Sequence, residues 1–361
     1  MTSKLKVGVL GATGMVGQRF VQLLAQHPWF ELATVAASPA SAGKAYAQAV
    51  EGRWALAGAV PSQAAGLTVR DASDVEAVAQ AVDFVFCAVD MPKDATAKLE
   101  EDYARAETPV VSNNSAHRWT ADVPMMIPEV NAEHASVIDA QRRRLGTTRG
   151  FISVKPNCSI QSYVPALHPL KAFGPTRVAV CTYQAVSGAG KTLAGWPEMA
   201  DNVIPFIKGE EEKSEQEPLK IWGRVVDGRV VSAAGPAITA QCVRVPVSDG
   251  HLAAVFVAFE KKPSKEDILT AWRGYQGPPQ ALELPSAPSP FLTYFEEEGR
   301  PQTKLDRDLG QGQAVSIGRL RADAVFDWRF VALSHNTVRG AAGGAVLTAE
   351  LLKARGYLAA K

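Results

Sequence analysis

The chain has 361 residues and a mass of 38.5 kDa, enough for two domains at about 100 to 200 residues each. Hydrophobic residues make up 47% and charged residues 21%, a composition that excludes disorder over most of the chain. The 38 Lys and Arg residues and the 37 Asp and Glu residues leave a net charge of +1. This balance excludes a bulk field for nucleic acid or an anionic membrane, so we expect a small-molecule substrate.

The N-terminal residues and the cysteines indicate the cellular compartment. Residues 1–9 carry two lysines before a short apolar run, without the longer apolar region of an export signal. No stretch approaches the roughly 18 to 20 apolar residues of a membrane-spanning helix. The cysteines are too far apart for a disulfide framework or a paired zinc motif: Cys87, Cys158, Cys181 and Cys242. We therefore expect a soluble cytoplasmic protein with no metal site.

The first 155 residues alternate between strand and helix patterns. Apolar, strand-like runs occupy residues 6–10, 32–37, 83–89 and 109–111, and helix-like stretches separate them. Strands that alternate with helices predict a parallel sheet covered by helices on both faces. We assign residues 1–155 to an α/β, doubly wound Rossmann-type domain.

The pattern changes after residue 155. The strand-like runs become longer and more alternating, which predicts an antiparallel or mixed sheet in an α+β domain at residues 156–335. A segment rich in Pro and Ser, residues 277–291, is predicted to cross the surface. Residues 337–357 predict one long helix, and residues 336–361 are expected to complete the first domain. The strand-like runs lie at residues 177–185, 225–233, 242–247 and 252–260.

A glycine turn follows the first predicted strand. Gly11, Gly14 and Gly17 form a G-x-x-G-x-x-G pattern between that strand and an amphipathic helix. In this context bare backbone can approach a pyrophosphate, and the N–H groups of the helix can bind it. A tight turn without a ligand is the alternative. We expect the dinucleotide contacts to be Gly11, Thr13, Gly14, Met15, Val16 and Gly17.

The residues after the second strand indicate which dinucleotide binds. NAD-specific sites place a carboxylate there for the ribose 2′-hydroxyl, but this chain has Ser38, Ser41 and Lys44. Two hydroxyls and a lysine favour a 2′-phosphate, so we predict NADP as cofactor. Residues 188–192 resemble the end of a nucleotide triphosphatase loop, but the glycine that the pattern requires five places before Gly190 is Ala185.

One cysteine has a distinctive position. Cys158 lies within the sequence Pro-Asn-Cys-Ser where the two domains meet, just before a helical stretch. A helix N-terminus lowers a thiol pKa and favours the thiolate, which can attack a carbonyl carbon. Position alone leaves a reactive and a structural role both open for Cys158. Cys87, Cys181 and Cys242 are predicted to be core residues.

Arg244 and His251 form a second candidate pair. Arg244 offers a planar fork that suits a carboxylate, and His251, after a Ser-Asp-Gly turn, exchanges protons near neutral pH. Taken separately, Arg244 could instead form a surface ion pair and His251 could be a loop histidine. The charged run at residues 209–213 is typical of a solvated helix start.

These motifs together resemble one family, the aspartate-semialdehyde dehydrogenases, in the branch found in archaea and fungi. Many separate motifs occur in the family order across nearly the whole chain. Residues 112–119 fit the family pattern only loosely. The matching segments are residues 11–20, 41–44, 156–159, 184–190, 201–205, 244–247 with 250–251, and 335–340.

The resemblance implies a role for each matching residue. Cys158 would be the nucleophile, Gln184 would orient the acyl intermediate, and His251 would be the acid/base. Arg244 would bind the substrate α-carboxylate and Glu210 its amino group. The implied phosphate binders are Lys213, Arg118 and Asn157. The implied cofactor contacts are Thr13, Gly14, Ser187, Gly188 and Asn336.

The resemblance also implies the reaction. Such an enzyme reduces L-aspartyl 4-phosphate to L-aspartate 4-semialdehyde with NADPH, through a thioester on Cys158, in the biosynthesis of Lys, Met, Thr and Ile. The family forms homodimers or homotetramers. Two alternatives remain open: a related acyl reductase, acting on malonyl-CoA or N-acetylglutamyl phosphate, and a catalytically silent NADP-binding protein.

Overall fold

The computed structural model describes residues 4–361, in which two six-stranded sheets form the framework. Residues 1–3, at the start of the segment inspected for an export signal, lie outside the described residues. No helix within residues 4–361 combines the length and the apolar character that crossing a bilayer requires.

The first sheet is parallel throughout and has the strand order β3-β2-β1-β4-β5-β6. Four of its strands confirm predicted runs, and β3 and β6 were not predicted. The order reverses between β1 and β4, the place where such sheets bind ligands beyond the strand ends. The strands are β1 (Leu5–Leu10), β2 (Phe30–Ala37), β3 (Arg70–Asp71), β4 (Phe84–Cys87), β5 (Val110–Ser112) and β6 (Ile152–Val154).

The second sheet is mixed, with the strand order β10-β7-β11-β14-β13-β12. Its end pairs, β10 with β7 and β12 with β13, are parallel, and the inner pairs are antiparallel. The predicted fold class is therefore confirmed. The strands are β7 (Pro175–Gln184), β10 (Ala237–Arg244), β11 (His251–Phe259), β12 (Leu292–Phe295), β13 (Val315–Ala322) and β14 (Trp328–Ser334).

The predicted strand at residues 225–233 is wrong, because this segment is a hairpin. Strands β8 (Arg224–Val226) and β9 (Arg229–Val231) pair with each other through a two-residue turn. Asp227 and Gly228 occupy the turn with φ of 49° and 72°. Asp-Gly is the sequence that a turn with two left-handed residues favours, so it reverses the chain here.

Thirteen helices accompany the sheets within the described residues. They are α1 (Met15–Leu24), α2 (Tyr46–Ala49), α3 (Ser62–Ala65), α4 (Val75–Ala81), α5 (Lys93–Arg105), α6 (Pro128–Asn131), α7 (Ile138–Leu145), α8 (Ile160–Leu167), α9 (Glu210–Ile221), α10 (Lys265–Arg273), α11 (Pro278–Ala281), α12 (Thr303–Asp306) and α13 (Gly343–Ala354). Short 3₁₀ turns extend some of them.

Two predicted segments near the C-terminus require correction. Residues 337–357 do not form one helix, since a π-type turn at Val338–Ala342 precedes α13 and Ala341 has non-helical φ and ψ of −143° and −109°. The segment at residues 277–291 contains α11 and buries Leu284 and Phe291, so it does not simply cross the surface.

The C-terminal helix packs on the first sheet. Leu347 and Leu351 of α13 lie in the same buried cluster as Phe20 and Val21 of α1 and the strands beneath them. The last helix of the chain thus contacts the first, and the π-type turn before it runs towards the junction of the two sheets.

Candidate active site

The glycine turn between β1 and α1 is shaped by close backbone contacts. A Cβ on Gly11 would lie 2.3 Å from the Ala88 oxygen, and one on Gly17 would lie 2.1 Å from the Gly11 oxygen. Packing therefore requires both glycines. Gly14 differs, because its Cβ would meet nothing closer than 3.6 Å, which leaves open space on its outer side.

The start of α1 has the properties of an anion site. The first N–H groups of any α-helix have no intrahelical acceptor. Gly14, the N-cap of α1, supplies no side-chain hydrogen bond to them. These groups and the helix dipole favour a phosphate. Met15 and Val16 follow in the first turn, and Thr13 and Met15 line a cavity beside the glycine turn.

The loop after β2 follows the strand that pairs with β1 in the first sheet. Ser38 is exposed, Ser41 is buried and donates its backbone N–H to the Ser38 oxygen at 2.9 Å, and Lys44 is exposed. Residues 38–44 contain no carboxylate that would repel a 2′-phosphate. The loop therefore fits the predicted preference for NADP over NAD.

The segment that resembles a triphosphatase loop lies opposite the glycine turn. Gly190, Lys191 and Thr192 line the same cavity as Thr13 and Met15. Just before them, Ser187 accepts a hydrogen bond from Asn336 Nδ2 at 2.8 Å, and Asn336 Oδ1 accepts one from the Gly250 N–H at 2.8 Å. Asn336 thus connects the second-domain loop to the turn that precedes His251.

Cys158 lies between β6 and α8, at the junction of the two sheets. Its Sγ is 3.4 Å from Nε2 of His251, the first residue of β11. Asn157 fixes the local backbone, because its Oδ1 accepts hydrogen bonds from the Ser159 N–H at 2.8 Å and the Ser159 hydroxyl at 2.6 Å. The structure thus brings together two residues that lie 93 positions apart in the chain.

Backbone of the C-terminal segment supports this part of the site. A Cβ on Gly340 would lie 3.0 Å from the Cys158 Cβ, and one on Gly344 would lie 2.7 Å from Cε of Lys155. Lys155 is 2% exposed, and its Nζ donates to the Pro156 oxygen at 3.4 Å. Sequence reasoning missed Lys155, although it lies just three residues before Cys158.

The predicted low pKa of Cys158 is wrong for the substrate-free protein. Burial raises the pKa of this thiol to about 11, and the negative charge of Glu210 adds to the effect. Lys155, Arg118 and Arg244 act in the opposite direction without reversing it. With this pKa Cys158 is a thiol at neutral pH, not the thiolate that its position before a helix predicted.

His251 is 1% exposed and has a different partner on each nitrogen. Nε2 faces Cys158, and Nδ1 accepts a hydrogen bond from the backbone N–H of Ala185 at 3.1 Å. Burial and, to a smaller extent, the charge of Arg244 lower the pKa of His251 to about 3. The ring is therefore neutral at physiological pH.

Arg244 ends β10 beside Gln184, the last residue of β7. It is buried, and its Nη1 donates to the Ala185 oxygen at 2.6 Å. A Cβ on Gly188 would lie 2.9 Å from Arg244 Nη1 and 3.0 Å from His251 Nε2. A side chain at position 188 would therefore crowd both the guanidinium and the imidazole.

Glu210 begins α9 and is 8% exposed, so the interpretation of residues 209–213 as a solvated helix start is wrong for this residue. Its carboxylate accepts hydrogen bonds from Lys213 Nζ at 2.9 Å, Asn157 Nδ2 at 2.9 Å and Gln184 Nε2 at 3.2 Å. Burial works to raise the pKa of Glu210, but the Lys213 charge and these bonds lower it below its usual value. Glu210 is a carboxylate, and it draws three other predicted site residues together.

Arg118 is placed near the site but has few donors left. Its Nη1 pairs with Glu217 at 2.9 Å, its Nε donates to the Lys155 oxygen at 3.0 Å, and its Nη2 donates to the Asn113 oxygen at 3.2 Å. Its role in phosphate binding stays a prediction. Glu217 also accepts from the Asn157 N–H at 2.6 Å. Sequence reasoning missed Glu217, although its spacing of seven from Glu210 places both on one face of α9.

The other three cysteines differ in how deeply they are buried. Cys87 and Cys242 are buried as predicted, whereas Cys181 is only partly buried. Within residues 4–361 no three His, Cys, Asp or Glu side chains cluster in a way that could hold a metal ion.

Two family models match the chain. The model described as "Semialdehyde dehydrogenase, NAD binding domain" matches residues 6–138. The model described as "Semialdehyde dehydrogenase, dimerisation domain" matches residues 167–339, which supports an oligomeric protein. Together these models match more than half of the chain and include the glycine turn, Gln184, Arg244 and His251.

Similar proteins and a similar structure bear the same name. Aspartate-semialdehyde dehydrogenase of Methanothermobacter thermautotrophicus is 47% identical over 96% of this chain and 99% of that protein. The enzyme of Archaeoglobus fulgidus is 44% identical over 97% of this chain and 98% of that protein. The crystal structure of aspartate semialdehyde dehydrogenase with NADP from Candida albicans is 37% identical, with a TM-score of 0.89 over 99% of this chain and 100% of that chain. The similarity to archaeal and fungal proteins confirms the predicted branch, and the chain belongs to the aspartate-semialdehyde dehydrogenase family.

Proposed function

We propose that this protein is an NADP-dependent aspartate-semialdehyde dehydrogenase, which reduces L-aspartyl 4-phosphate to L-aspartate 4-semialdehyde. The observation that carries the proposal is the contact of Cys158 Sγ with His251 Nε2 at 3.4 Å, with Arg244 and Glu210 beside it. A thiol, an imidazole, a cation and a carboxylate together provide a nucleophile and the groups that hold an amino acid.

Arg244 and Glu210 suit the two charges of an α-amino acid. The guanidinium fork of Arg244 complements a carboxylate, and the Glu210 carboxylate complements an ammonium group. In the structure the Lys213 ammonium donates a hydrogen bond to the Glu210 carboxylate. A substrate ammonium would replace Lys213 at this carboxylate, and Lys213 would then be free to bind the phosphate. Asn157 and Arg118 are the further candidates for phosphate contact. Binding at both ends would align the acyl carbon with Cys158.

Cys158 would attack the acyl carbon, and phosphate would leave. This covalent route divides one difficult displacement into two easier steps. Gln184, held by Glu210 at 3.2 Å, would keep the acyl group in place. His251 would be the acid/base that moves the protons of the reaction. After hydride reaches the thioester carbon, the C–S bond would break, which releases the aldehyde and returns Cys158 to a free thiol.

The glycine turn fits the cofactor, since Gly14 leaves open space and the first turn of α1 has uncapped N–H groups. NADPH would supply the hydride when bound. Gly11, Thr13, Gly14, Met15, Val16 and Gly17 would hold its pyrophosphate region and Ser38 and Ser41 its 2′-phosphate. Ser187, Gly188 and Asn336 would contact its nicotinamide half.

The substrate is tested by phosphate-dependent reduction of NADP, followed by absorbance with three aldehydes in parallel. We expect aspartate semialdehyde to exceed both N-acetylglutamate and malonate semialdehydes by at least about 10² in kcat/KM, because each lacks the free ammonium that Glu210 would bind. Activity confined to either of the other aldehydes would overturn the substrate assignment. Absence of turnover with all three would favour the catalytically silent alternative.

Exchanging Arg244 for lysine should raise KM for aspartate semialdehyde by about 10- to 100-fold with a smaller change in kcat. Lysine keeps the charge but loses the fork, and a charge-assisted hydrogen bond contributes about 1.5–3 kcal/mol. Steady-state kinetics measures the change, and Arg224→Lys on the exposed β8 is the matched control. An unchanged KM would remove Arg244 from the substrate pocket.

Assembly and compartment follow from the same proposal. We propose a homodimer or homotetramer formed through the second domain, which matches the dimerisation model. All four cysteines are free, as expected in a reducing cytoplasm, where this enzyme would serve the biosynthesis of Lys, Met, Thr and Ile.

A further inference from the structure

Lys191 and Thr192, in the loop that follows β7, have no part in the function proposed above. They line the same cavity, of about 470 Å³, as Met15 in the first turn of α1. Among the described residues that line it, two are cations, Lys191 and Arg53, and none is a carboxylate. A cavity with this charge, beside the first N–H groups of a helix, favours an anion with several negative charges.

The backbone before Lys191 is fixed by a short 3₁₀ turn at Val186–Ala189. Gly190 ends this turn with a φ of 68°, a left-handed conformation that favours glycine, and its N–H donates to the Ser187 oxygen at 2.9 Å. The Ser187 hydroxyl in turn accepts the hydrogen bond from Asn336 described above. The turn therefore determines where the chain meets the cavity, and Lys191 is the first residue after it.

An aromatic ring holds the side chain of Lys191. Its Nζ lies 4.1 Å from the centroid of the Trp196 ring. A second turn brings Trp196 back to Lys191, and within it the Gly195 N–H donates to the Thr192 hydroxyl at 3.0 Å. A ring face attracts an ammonium group without neutralising its charge. The charge of Lys191 thus stays available to an anion.

Gln18 fixes the wall of the cavity that carries the second cation. Its Nε2 donates to the Thr13 oxygen at 3.0 Å and to the Arg53 oxygen at 2.9 Å. The Arg53 guanidinium already donates to the Ala49 oxygen at 2.5 Å, whereas the Lys191 ammonium contacts an aromatic ring. Lys191 therefore has more of its donors to offer a phosphate.

Asp249 is the competing partner for the charge of Lys191. It is the carboxylate among the residues of an adjacent cavity, which Lys191 and Arg19 also line. Burial lowers the pKa of Arg19, and the negative charge of Asp249 opposes that effect. Asp249 therefore already has a cation beside it, whereas the cavity at the glycine turn has no negative charge of its own.

We propose that Lys191 binds the pyrophosphate of NADPH from the second domain, opposite the N-terminus of α1. The inference rests on the NADP-dependent function proposed above and adds a residue to its cofactor site. The Lys191 ammonium would donate to pyrophosphate oxygens that face away from the first N–H groups of α1. The cofactor would thereby contact both domains through one charged group.

The position of Lys191 favours the pyrophosphate over the 2′-phosphate. Thr13 of the glycine turn lines the same cavity as Lys191, whereas Ser38 and Ser41, the proposed 2′-phosphate contacts, are not among its lining residues. Backbone N–H groups at the start of a helix are the usual partners of a pyrophosphate. Lys191 is therefore placed to meet the phosphates that the glycine turn would bind.

The first test measures the NADPH affinity of Lys191→Met by fluorescence titration of the full-length protein without substrate. Methionine keeps the unbranched stem against Trp196 but removes the charge. We expect the Kd for NADPH to rise by about 10- to 100-fold, the usual effect of losing one charge-assisted hydrogen bond. Lys191→Arg keeps a cation and should stay within about fivefold of the wild type.

Lys265→Met is the matched control, because it removes an exposed lysine from the first turn of α10 and should leave the Kd for NADPH unchanged. Circular dichroism confirms the folding of each variant. A Kd for NADPH in Lys191→Met equal to that of the control would overturn the proposal. So would a Lys191→Arg variant that binds NADPH as weakly as Lys191→Met, since the effect would then not depend on charge.

The second test identifies the phosphate with ligands that displace NADPH. Oxidised NAD has the pyrophosphate without the 2′-phosphate, and adenosine 2′-monophosphate has the 2′-phosphate without the pyrophosphate. Lys191→Met should weaken NAD by the same factor as NADPH and leave adenosine 2′-monophosphate unchanged. Weaker binding of adenosine 2′-monophosphate with unchanged binding of NAD would contradict the assignment to the pyrophosphate.

Binding measured without substrate separates this inference from the proposed function. If the wild-type protein bound no NADPH, the proposed function would fail, and this inference with it. If the wild-type protein turned over and bound NADPH no more tightly than Lys191→Met, only the assignment of Lys191 would fail. During turnover Lys191→Met should raise KM for NADPH with a smaller change in kcat, because the chemistry at Cys158 does not involve the pyrophosphate.

Discussion

Replacement of Cys158 by alanine should lower turnover of aspartate semialdehyde by at least about 10⁴-fold, because no covalent intermediate can form without the thiol. Its Sγ, the proposed nucleophilic atom, lies 3.4 Å from His251 Nε2 at the junction of the two sheets. NADPH affinity, measured by fluorescence titration, should change by less than about twofold, since the predicted cofactor contacts lie on the glycine turn and the loops at residues 38–41 and 187–188.

Cys181→Ala is the matched control, because Cys181 is a free, partly buried cysteine on β7 and should tolerate alanine with full activity. Mass spectrometry of the wild-type protein during turnover should find an acyl adduct on the peptide that contains Cys158. Loss of NADPH binding together with turnover in the alanine variant would mean that the site is misplaced. An adduct on another peptide would exclude Cys158 as the nucleophile.

Arg339→Met should destabilise the protein by about 3–5 kcal/mol, because it leaves a buried carboxylate without its partner. Arg339, in the π-type turn, donates to both oxygens of Glu129 on α6, at 2.6 and 2.5 Å, and the side chains of both residues are 0% exposed. Tyr275 also donates its hydroxyl to the backbone oxygen of Glu129. The pair joins the C-terminal segment to the first domain.

Urea unfolding at fixed protein concentration measures the free energy of unfolding that Arg339→Met loses. A double variant supplies the second comparison. Arg339→Met combined with Glu129→Leu should be more stable than Arg339→Met alone, since the unpaired charge is gone. Lys98→Met breaks an exposed pair with Asp102 at 2.6 Å and should cost less than about 1 kcal/mol. If Arg339→Met lowered the free energy of unfolding by less than Lys98→Met does, the buried pair would contribute nothing to stability.

The part of the fold that depends on local pattern could be predicted from the sequence. In the first domain, the apolar runs are short and buried on both sides, and β1, β2, β4 and β5 appear at the predicted places. The glycine turn was also evident, because its G-x-x-G-x-x-G spacing between a strand and a helix is a local pattern. The contact that requires Gly11 is not local, since it involves the backbone of Ala88.

The elements that sequence reasoning missed depend on distant partners. Strand β12 has only four residues, and it is defined by its pairing with β13. The π-type turn interrupts an Ala- and Gly-rich stretch because Gly340 lies against Cys158 and Arg339 pairs with Glu129. The composition of this stretch gives no information about these contacts, so it predicts one continuous helix.

The electrostatics of the site were the least predictable property. A position before a helix indicated a low pKa for Cys158, but burial and Glu210, 52 residues further along the chain, determine its value. Likewise the guanidinium of Arg118 is engaged by Glu217, which lies 99 residues away. Pairings of this kind exist only in three dimensions, and they decide which charges remain available to a substrate.

The two glycines that face Cys158 and Lys155 give the C-terminal segment an influence on chemistry that takes place far from it in the chain. Gly340 and Gly344 flank the kink at Ala341, and through them bare main chain lies against Cys158 and its buried neighbour Lys155. A shift of this segment along its own axis would move the sulfur relative to the hydride donor. Because α13 continues from this segment into the buried cluster of the first sheet, one stretch of chain both completes that core and positions the sulfur.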